Sequence, residues 1–418
     1  MQKTQYNKHF ISDIYFYQEG PGVRKWQFTS EGVKLINVGN INNGKIDLNA
    51  TKIYLSEEEA NDKYKHFLID EGDLLIACSG VVVDNFHNKI AFIKKEHLPL
   101  CLNTSTMRFK ELSERKGTLN FLRYFLQTIE FKEQLRKLIT GSAQLNFGPS
   151  HIRKIQIPLP PIPTQQKIAN ILDKADELRQ YNKQLIEKYD ALTQSLFLDM
   201  FGDPVMNDKG WKSVQVENVA SSEKHSIKAG PFGSSLKKEF YVEKGYKIYG
   251  QEQVIKDDMT FGNYYIDEKK YKELESCKVK EGDVLVSLVG TYGKISVIPS
   301  KFEKGIINPR LMKISPNKDI IRPDFLKFLL QSSHVEKQLK NYSRGGTMDI
   351  INVGIIRKVF IPLPPINIQN QFAERIAVIE AQKQQAQEAF AKSEALFQGL
   401  LQQAFNGELN TPPYGHPS

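Results

Sequence analysis

Two stretches of the chain carry a long apolar stripe that predicts an extended helix in each. In the first stretch, the stripe advances by alternating steps of three and four residues, which is the spacing of coiled-coil contact positions. Its members are Ile171, Ala175, Leu178, Asn182, Leu185, Tyr189, Leu192 and Leu196. The second stretch has a comparable stripe of Phe372, Ile376, Ile379, Ala386, Phe390, Phe397 and Leu400. A helix of ~38 residues is ~57 Å long at 1.5 Å per residue, which exceeds an ordinary globular helix.

The matched lengths of the two helices favour packing of one on the other. Asn182 is the polar member of the first stripe, and a single polar contact residue typically fixes the register of a coiled coil. The alternative is that each helix packs only on its own globular domain.

Each long helix follows a copy of the same proline-rich stretch. Residues 152–162 read IRKIQIPLPPI, and residues 356–366 read IRKVFIPLPPI. Proline holds the backbone extended, so each copy predicts a rigid connector. Thr164 and Asn367 are good N-cap residues and are expected to begin the helices. The chain is therefore expected to use one design twice.

Shorter patterns before each connector predict an α+β unit with a mixed sheet. In the first unit, apolar β-like runs occupy residues 33–38, 73–83 and 90–95, and a helix is expected over roughly 117–139. In the second unit, the corresponding runs are 246–251, 284–290 and 295–299, with a helix over roughly 323–341. The tripeptide Glu71-Gly72-Asp73 recurs as Glu281-Gly282-Asp283.

These patterns predict two globular domains, each with its own connector and helix. The expected segments are 1–156 and 205–360 for the globular domains, 157–204 and 361–409 for the connectors with their helices, and 410–418 for a flexible tail. The frames are alike but the sequences between the shared landmarks barely resemble each other. This contrast suggests one scaffold whose variable surface is set differently in each copy.

Composition narrows the class of protein. The 418 residues are 40% hydrophobic and 25% charged, as in ordinary globular proteins. No apolar leader and no membrane span are expected, and the three scattered cysteines fit free thiols in a reducing cytoplasm rather than a disulfide framework. The net charge of +9 favours a polyanionic partner such as nucleic acid.

Candidate catalytic and metal motifs are missing from the sequence. Two glycine-containing segments, residues 230–235 and 290–294, lack the spacing of a nucleotide-binding loop. Their Lys, Tyr and Ser side chains suit phosphate and base-edge contacts, although ordinary hairpin turns remain the alternative. The histidines, cysteines and acidic residues form no recognised metal-binding or catalytic spacing.

The whole arrangement resembles the specificity subunit of type I restriction–modification systems. The resemblance rests on Pro158-Leu159-Pro160-Pro161 with Gln165 and Ile168, and on Pro362-Leu363-Pro364-Pro365 with Gln369 and Phe372. Gly210-Trp211, Glu281-Gly282-Asp283-Val284-Leu285 and Gly290-Thr291-Tyr292-Gly293-Lys294 are also similar to that family.

The resemblance implies a non-catalytic subunit with two target recognition domains. Each domain would read one half of a bipartite sequence in double-stranded DNA, and the two long helices would form an antiparallel coiled coil that sets the spacing. Half-sites one helical turn apart are ~34–36 Å from each other, which a ~57 Å helix can accommodate. Two modification subunits would supply S-adenosylmethionine chemistry, and restriction subunits would use ATP and Mg. This chain would itself bind no cofactor or metal.

Base-reading residues are expected on loops carried by the rigid frame. Arg or Lys would read guanine, and Asn or Gln would read adenine. The candidates in the first domain are Arg24, Lys25, Gln27, Asn37, Asn40, Ser79, Gln144 and Asn146. Those in the second domain are Ser234, Ser235, Lys237, Gln251, Gln253, Thr291, Tyr292, Lys294 and Thr347.

Two other functional classes remain open from sequence alone. A stand-alone DNA methyltransferase would bind S-adenosylmethionine by itself, but the cofactor and catalytic motifs are missing. A coiled-coil scaffold that binds only protein would show no salt-sensitive affinity for duplex DNA.

Overall fold

A computed structural model describes residues 6–139, 146–288, 294–342 and 352–409. The chain divides into two compact units. Unit 1 comprises Met1–Gln184 and Gln387–Ser418, and unit 2 comprises Leu185–Ala386. Each unit therefore combines one globular half with a part of each long helix, whereas the segments expected from sequence kept each helix separate.

Unit 1 contains a mixed set of short strands and helices. The strands are β1 (Lys8–Phe10), β2 (Tyr15–Glu19), β3 (Val33–Ile36), β4 (Ile41–Asn42), β5 (Lys45–Ile46), β6 (Tyr54–Leu55), β7 (Leu74–Ala77), β8 (Ile90–Phe92), β9 (Leu100–Leu102), β10 (Thr106–Glu111) and β11 (Gln156–Pro158). The helices are α1 (Glu57–Asn61), α2 (Leu119–Phe125), α3 (Ile129–Leu138), α4 (Pro149–Ile152) and the first part of α5 (Ile162–Phe201).

Two sheets form the frame of unit 1. The larger is antiparallel with the order β2-β10-β7-β8, and the smaller has the order β6-β3-β9 with β3 and β9 parallel. Strand β1 pairs with β11, which ties the N-terminal strand to the proline-rich connector. The main core packs the larger sheet against α2, α3 and the long helices.

Unit 2 repeats this frame with its own strands and helices. The strands are β12 (Lys212–Gln215), β13 (Ile227–Ala229), β14 (Tyr241–Val242), β15 (Tyr246–Tyr249), β16 (Tyr265–Ile266), β17 (Val284–Ser287), β18 (Ile295–Val297), β19 (Gly305–Ile307), β20 (Leu311–Ile314) and β21 (Phe360–Leu363). The helices are α6 (Gln251–Lys256), α7 (Glu268–Glu273), α8 (Pro323–Gln331), α9 (Ser333–Tyr342), α10 (Val353–Arg357) and the first part of α11 (Ile366–Phe405).

The main sheet and the connector pair of unit 2 match those of unit 1. The second sheet differs, because it has four strands in unit 2 (β14-β16-β15-β19) and three in unit 1, and the β4-β5 pair of unit 1 has no counterpart among the described residues of unit 2. The order β13-β20-β17-β18 corresponds to β2-β10-β7-β8, and parallel β15 and β19 correspond to β3 and β9. The connector pair β12-β21 corresponds to β1-β11. The predicted α+β class and the repeated design are therefore confirmed.

The single helix predicted before each connector is in fact two helices. In unit 1 the break lies at Thr128, which is the N-cap of α3. Its side chain accepts a hydrogen bond from the Phe131 amide. In unit 2, α8 ends at Gln331 and α9 begins at Ser333. The apolar periodicity continues across both breaks, so it conceals them. The strand expected over 73–83 also stops at Ala77, and Gly80 has a positive φ of 66°.

A buried glutamine, rather than an N-cap residue, organises the start of each long helix. Thr164 and Asn367 lie inside α5 and α11, so the prediction that they begin the helices was wrong. Gln165 accepts from the Thr118 amide and donates to the Lys116 and Pro160 carbonyls. Gln369 does the same with the Arg322 amide and the Ile320 and Pro364 carbonyls.

The recurring Glu-Gly-Asp tripeptide is a turn that starts β7 and β17. Gly72 and Gly282 have φ angles of 85° and 83°, a conformation that glycine adopts without steric cost. The following aspartates are buried and face buried cations, with Asp73 3.4 Å from Arg108 and Asp283 3.7 Å from Lys313. The motif is therefore structural.

The long helices α5 and α11 pack together in an antiparallel sense. In unit 1, the Asn182 side chain reaches Ser393, and Arg179 reaches Glu394. In unit 2, Asp190 pairs with Lys383 at 2.6 Å, and the Phe197 ring centroid lies 5.8 Å from that of Phe372. In each unit the paired helix segments also pack on the globular core, so the alternative in which each helix packs only on its own domain was wrong.

The buried stripe on the helices includes some predicted contact residues and passes beside others. Ala175, Asn182, Phe372, Ile376, Ala386 and Phe397 are buried, and Ile171, Leu185, Tyr189, Leu196, Ile379, Phe390 and Leu400 are half-buried. Leu178 and Leu192 are 46% and 49% exposed, and their neighbours Arg179 and Thr193 are turned inward instead. Arg179 takes this position because its guanidinium lies 4.2 Å from the Phe397 ring and pairs with Glu394.

Candidate nucleic-acid interface

Loops from several strands converge at one end of the larger sheet in unit 1. The Gly20 amide donates to the Thr106 carbonyl, which joins the loop after β2 to the start of β10. Ser105 accepts from the Cys78 amide through its carbonyl and from the Val38 amide through its hydroxyl. These contacts define loop cluster 1, which consists of residues 20–24, 37–40, 78–82, 103–105 and 146–148.

The equivalent loops converge in unit 2. The Asn308 amide donates to the Tyr249 carbonyl, and Leu288 donates to the Arg310 carbonyl. The Gln251 side-chain amide donates to the Ser287 hydroxyl at 2.6 Å. These contacts define loop cluster 2, which consists of residues 230–235, 250–251, 287–288, 294 and 308–310.

One glycine holds the same close approach in each cluster. A side chain on Gly20 would overlap the backbone of Asn103, and one on Gly230 would overlap the backbone of Asn308. A proline follows each glycine, and its ring fixes the backbone φ angle where the loop begins. The two clusters therefore share this backbone contact, although their exposed residues differ.

Three of the candidate base readers are buried parts of the frame. Gln27 is held by Glu59, Tyr64 and the Arg24 amide. Asn40 bonds to the Asn37 amide, Thr51 and the Asp47 carbonyl. Gln253 bonds to the Gly250 amide and the Phe261 carbonyl. Their amides are already committed within the fold, which disfavours a second role in reading bases.

Other candidates are partly committed to loop structure. The Asn37 side chain accepts from the Gly39 amide and caps the short helix of residues 38–40. Ser79 and Asn146 lie together, with the Ser79 hydroxyl donating to the Asn146 side-chain oxygen at 2.9 Å. The Gly80 amide donates to the same oxygen, so Asn146 orders this loop while its amide group remains exposed.

The remaining described candidates present their side chains to solvent. Arg24, Lys25, Ser234, Lys237 and Lys294 are exposed, and Ser235 is half-buried. Lys237 has a weak ion pair with Glu239 at 3.7 Å. The carbonyl of Lys294 accepts from the Ser287 amide, so its backbone is fixed while its ammonium group is exposed. Gln144, Thr291, Tyr292 and Thr347 lie outside the described residues.

The sequence predictions missed three exposed side chains. Arg310 is exposed in loop cluster 2. The side chains of Trp26 and Phe232 are 80% and 86% exposed, and they lie in the loops that follow Gly20-Pro21 and Gly230-Pro231. The turn dipeptide Asn308-Pro309 between two apolar runs could have identified the Arg310 loop. Nothing in the hydrophobic pattern distinguishes Trp26 or Phe232 from a core aromatic residue.

Burial raises the pKa of two ionisable groups at loop cluster 1, Glu19 beside it and Cys78 within it. Burial raises the pKa of the Glu19 carboxyl, although its contact with Cys78 opposes the shift. Burial raises the pKa of the Cys78 thiol to about 12, so this cysteine is neutral at physiological pH.

The described residues contain no group of three or more His, Cys, Asp or Glu side chains that could hold a metal ion. Within the same ranges, every helix is too short or too polar to cross a membrane.

Comparison with known proteins assigns the family. The family model described as the type I restriction modification DNA specificity domain matches residues 6–189 and again residues 208–389. The specificity subunit of the type I restriction enzyme EcoKI from Escherichia coli K12 is 22% identical over 405 residues, which are 90% of this chain and 82% of that protein. The MjaVIII specificity subunit from Methanocaldococcus jannaschii is 24% identical over 334 residues, covering 76% of this chain and 74% of the relative.

Solved structures have the same fold. The type I S subunit from M. genitalium aligns with a TM-score of 0.55 at 15% identity, covering 96% of both chains. A chain from a study of the assembly and conformational transition of the type I restriction–modification system aligns with a TM-score of 0.54 at 18% identity, covering 98% of this chain and all of that one. The present chain belongs to the family of type I restriction–modification DNA specificity subunits, the non-catalytic component of these enzymes.

Proposed function

We propose that each unit reads one half of a bipartite DNA target. The observation that carries the proposal is the pairing of one repeated frame with two dissimilar loop clusters. The Gln165 and Gln369 networks, the Glu-Gly-Asp turns and the sheet orders are alike, whereas the exposed residues of the clusters differ. A repeated scaffold with two different surfaces suits recognition of two different half-sites.

Readout is assigned to the exposed polar residues of the clusters and to Lys25, which directly follows the first segment of loop cluster 1. Arg24, Lys25, Lys294 and Arg310 supply cations for phosphates and guanine, because Arg and Lys hydrogen-bond to the guanine edge in the major groove. Asn146 supplies an exposed amide that is suited to adenine. Gln27, Asn40 and Gln253 act indirectly by fixing the loops.

The long helices set the spacing of the half-sites and provide the docking surface for two modification subunits. S-adenosylmethionine binds to those modification subunits, and ATP and Mg bind to the restriction subunits. The assembly acts in the cytoplasm. This chain contributes sequence choice to the complex and no bond-making chemistry.

Single-molecule methylome sequencing tests the proposal. Cells that express the cognate modification subunit are compared with and without this chain. The expected result is adenine methylation at a bipartite motif only when the chain is present. If the chain forms a complex but no new methylation appears, and the complex binds duplex DNA without salt dependence, the chain is a protein scaffold and the proposal fails.

A further inference from the structure

The two most exposed aromatic side chains in the described part of the chain occupy the same connection of the repeated frame. Trp26 is 80% exposed and follows Gly20-Pro21 after β2, and Phe232 is 86% exposed and follows Gly230-Pro231 after β13. Neither ring contacts another aromatic ring or a cation among the described residues. Each lies at a short 3-10 helix, residues 25–27 in unit 1 and residues 233–235 in unit 2.

Both rings stand on an ordered backbone. Next to Trp26, Gln27 is 5% exposed and donates to Glu59 and Tyr64 at 2.9 and 3.1 Å. Beyond Phe232, the Ser235 amide donates to the Phe232 carbonyl at 2.8 Å, and Leu236 is buried in the core. The exposed position is thus imposed by the fold, because the residues beside each ring are anchored.

Exposed cations lie next to each ring in the sequence, together with two acidic side chains, Glu59 bonded to Gln27 and Glu239 paired with Lys237. Arg24 and Lys25 are exposed immediately before Trp26. Lys237 and Lys238 are exposed after Phe232, and Arg310 belongs to the loop that packs on Gly230. An exposed aromatic ring beside cations is the combination by which proteins stack on bases while neutralising the adjacent phosphates.

We infer that the side chains of Trp26 and Phe232 insert at base steps of the target duplex, one in each half-site. Each ring keeps the two bases of its step partly unstacked. This inference rests on the proposed function. Aromatic and apolar wedges unstack base steps and thereby favour deformable sequences, such as pyrimidine–purine steps. Each ring then contributes to specificity through DNA deformability, in addition to the hydrogen bonds made by the loop clusters.

The test uses the complete complex with its modification subunits and the target found by methylome sequencing. Duplexes carry 2-aminopurine at single positions in either half, excluding the adenines that become methylated. Complexes containing Trp26→Ala or Phe232→Ala are compared with the unaltered complex for affinity and for 2-aminopurine fluorescence. Trp26→Phe and Phe232→Tyr retain a ring and serve as matched variants.

The expected result is reciprocal. Each alanine variant loses about 5- to 150-fold in affinity, the range that corresponds to one stacked base. Trp26→Ala abolishes the fluorescence change in one half only, and Phe232→Ala abolishes it in the other half. The ring-retaining variants keep most of the affinity and both fluorescence changes.

Two results would overturn the inference while leaving the proposed function intact. In the first, both alanine variants keep full affinity and the same fluorescence. In the second, they weaken assembly with the modification subunits and leave DNA binding by the assembled complex unchanged, which makes the rings a protein contact. If the unaltered complex binds and methylates no specific duplex, the proposed function fails, and the inference fails with it.

Discussion

The Asn182 side-chain amide of α5 donates a hydrogen bond to the Ser393 hydroxyl of α11, at 3.2 Å and in a buried position. The same amide lies 3.3 Å from the Ala389 carbonyl. Ser393→Ala leaves Asn182 with the weaker of these contacts and is expected to cost about 1 kcal/mol of stability in unit 1. Hydrogen exchange measured on peptides of α5 and α11 checks this loss of protection.

The double variant Asn182→Leu with Ser393→Ala separates stability from register. Replacing both polar partners by apolar side chains is expected to restore or exceed the original protection, because no buried polar group is left unpaired. The polar pair then serves register rather than stability. A double variant less protected than either single variant would contradict this account.

The buried glutamine at the start of each long helix is expected to be essential to its own unit. Gln165→Ala removes three hydrogen bonds in unit 1 and is expected to cost about 3 kcal/mol, at about 1 kcal/mol net for each bond. Gln369→Ala is expected to cost about the same in unit 2. Urea unfolding followed by hydrogen exchange assigns each loss to its unit.

The neighbouring glutamines provide matched controls for this prediction. Gln166 and Gln371 are exposed on the same helices, and their replacement by alanine is expected to leave both units unchanged. Equal losses for Gln165→Ala and Gln166→Ala would show that the buried network is not responsible for the effect.

Gly230→Ala is expected to displace loop cluster 2 and to reduce DNA binding at least 10-fold, since about 1.4 kcal/mol of strain is sufficient. The added methyl group overlaps the Asn308 carbonyl, which is backbone and must move. Gly233→Ala is the control in the same loop, because a side chain there meets no atom within 4 Å. Fluorescence anisotropy on the target duplex measures both variants. A Gly230→Ala variant that binds as tightly as Gly233→Ala would show that the close approach is unimportant for recognition.

Lys294→Ala and Arg310→Ala are expected to weaken binding and to flatten its salt dependence. Each lost phosphate contact lowers the slope of log affinity against log salt by about 1. Lys269→Ala removes the same charge from an exposed position on α7, outside loop cluster 2, and is expected to leave the slope unchanged. The slope of log affinity against log salt is measured from about 50 to 300 mM salt for each variant. If Lys269→Ala lowers this slope as much as Lys294→Ala does, the effect is one of overall charge and not of contacts in loop cluster 2.

The sequence predicted the repeated frame because local rules determine it. The paired connectors, the apolar runs of β7 and β17 and the two long helices all follow from proline chemistry and periodicity. Those rules could not find the helix breaks at Thr128 and Ser332, because the spacing of apolar residues continues unchanged from one helix to the next. They also favoured Leu178 over Arg179, because apolarity alone does not anticipate an arginine that packs on Phe397.

The candidate site was less predictable because an amide side chain has the same appearance in sequence whether it reads DNA or fixes a loop. Asn40 and Gln253 satisfy backbone groups several residues away, and this requires the folded loops. Arg310, Trp26 and Phe232 are exposed only because their neighbours are anchored. Exposure of this kind depends on tertiary packing, which cannot be derived from the residues adjacent in the sequence.

Independent reading of one half-site by each unit is tested by exchanging residues 205–360 for the corresponding segment of another specificity subunit and sequencing the resulting methylome. If each unit reads its own half-site, one half of the motif changes, the other half is retained and the spacer length is unchanged. A motif altered in both halves, or one that is not altered at all, would show that the units do not read their half-sites independently.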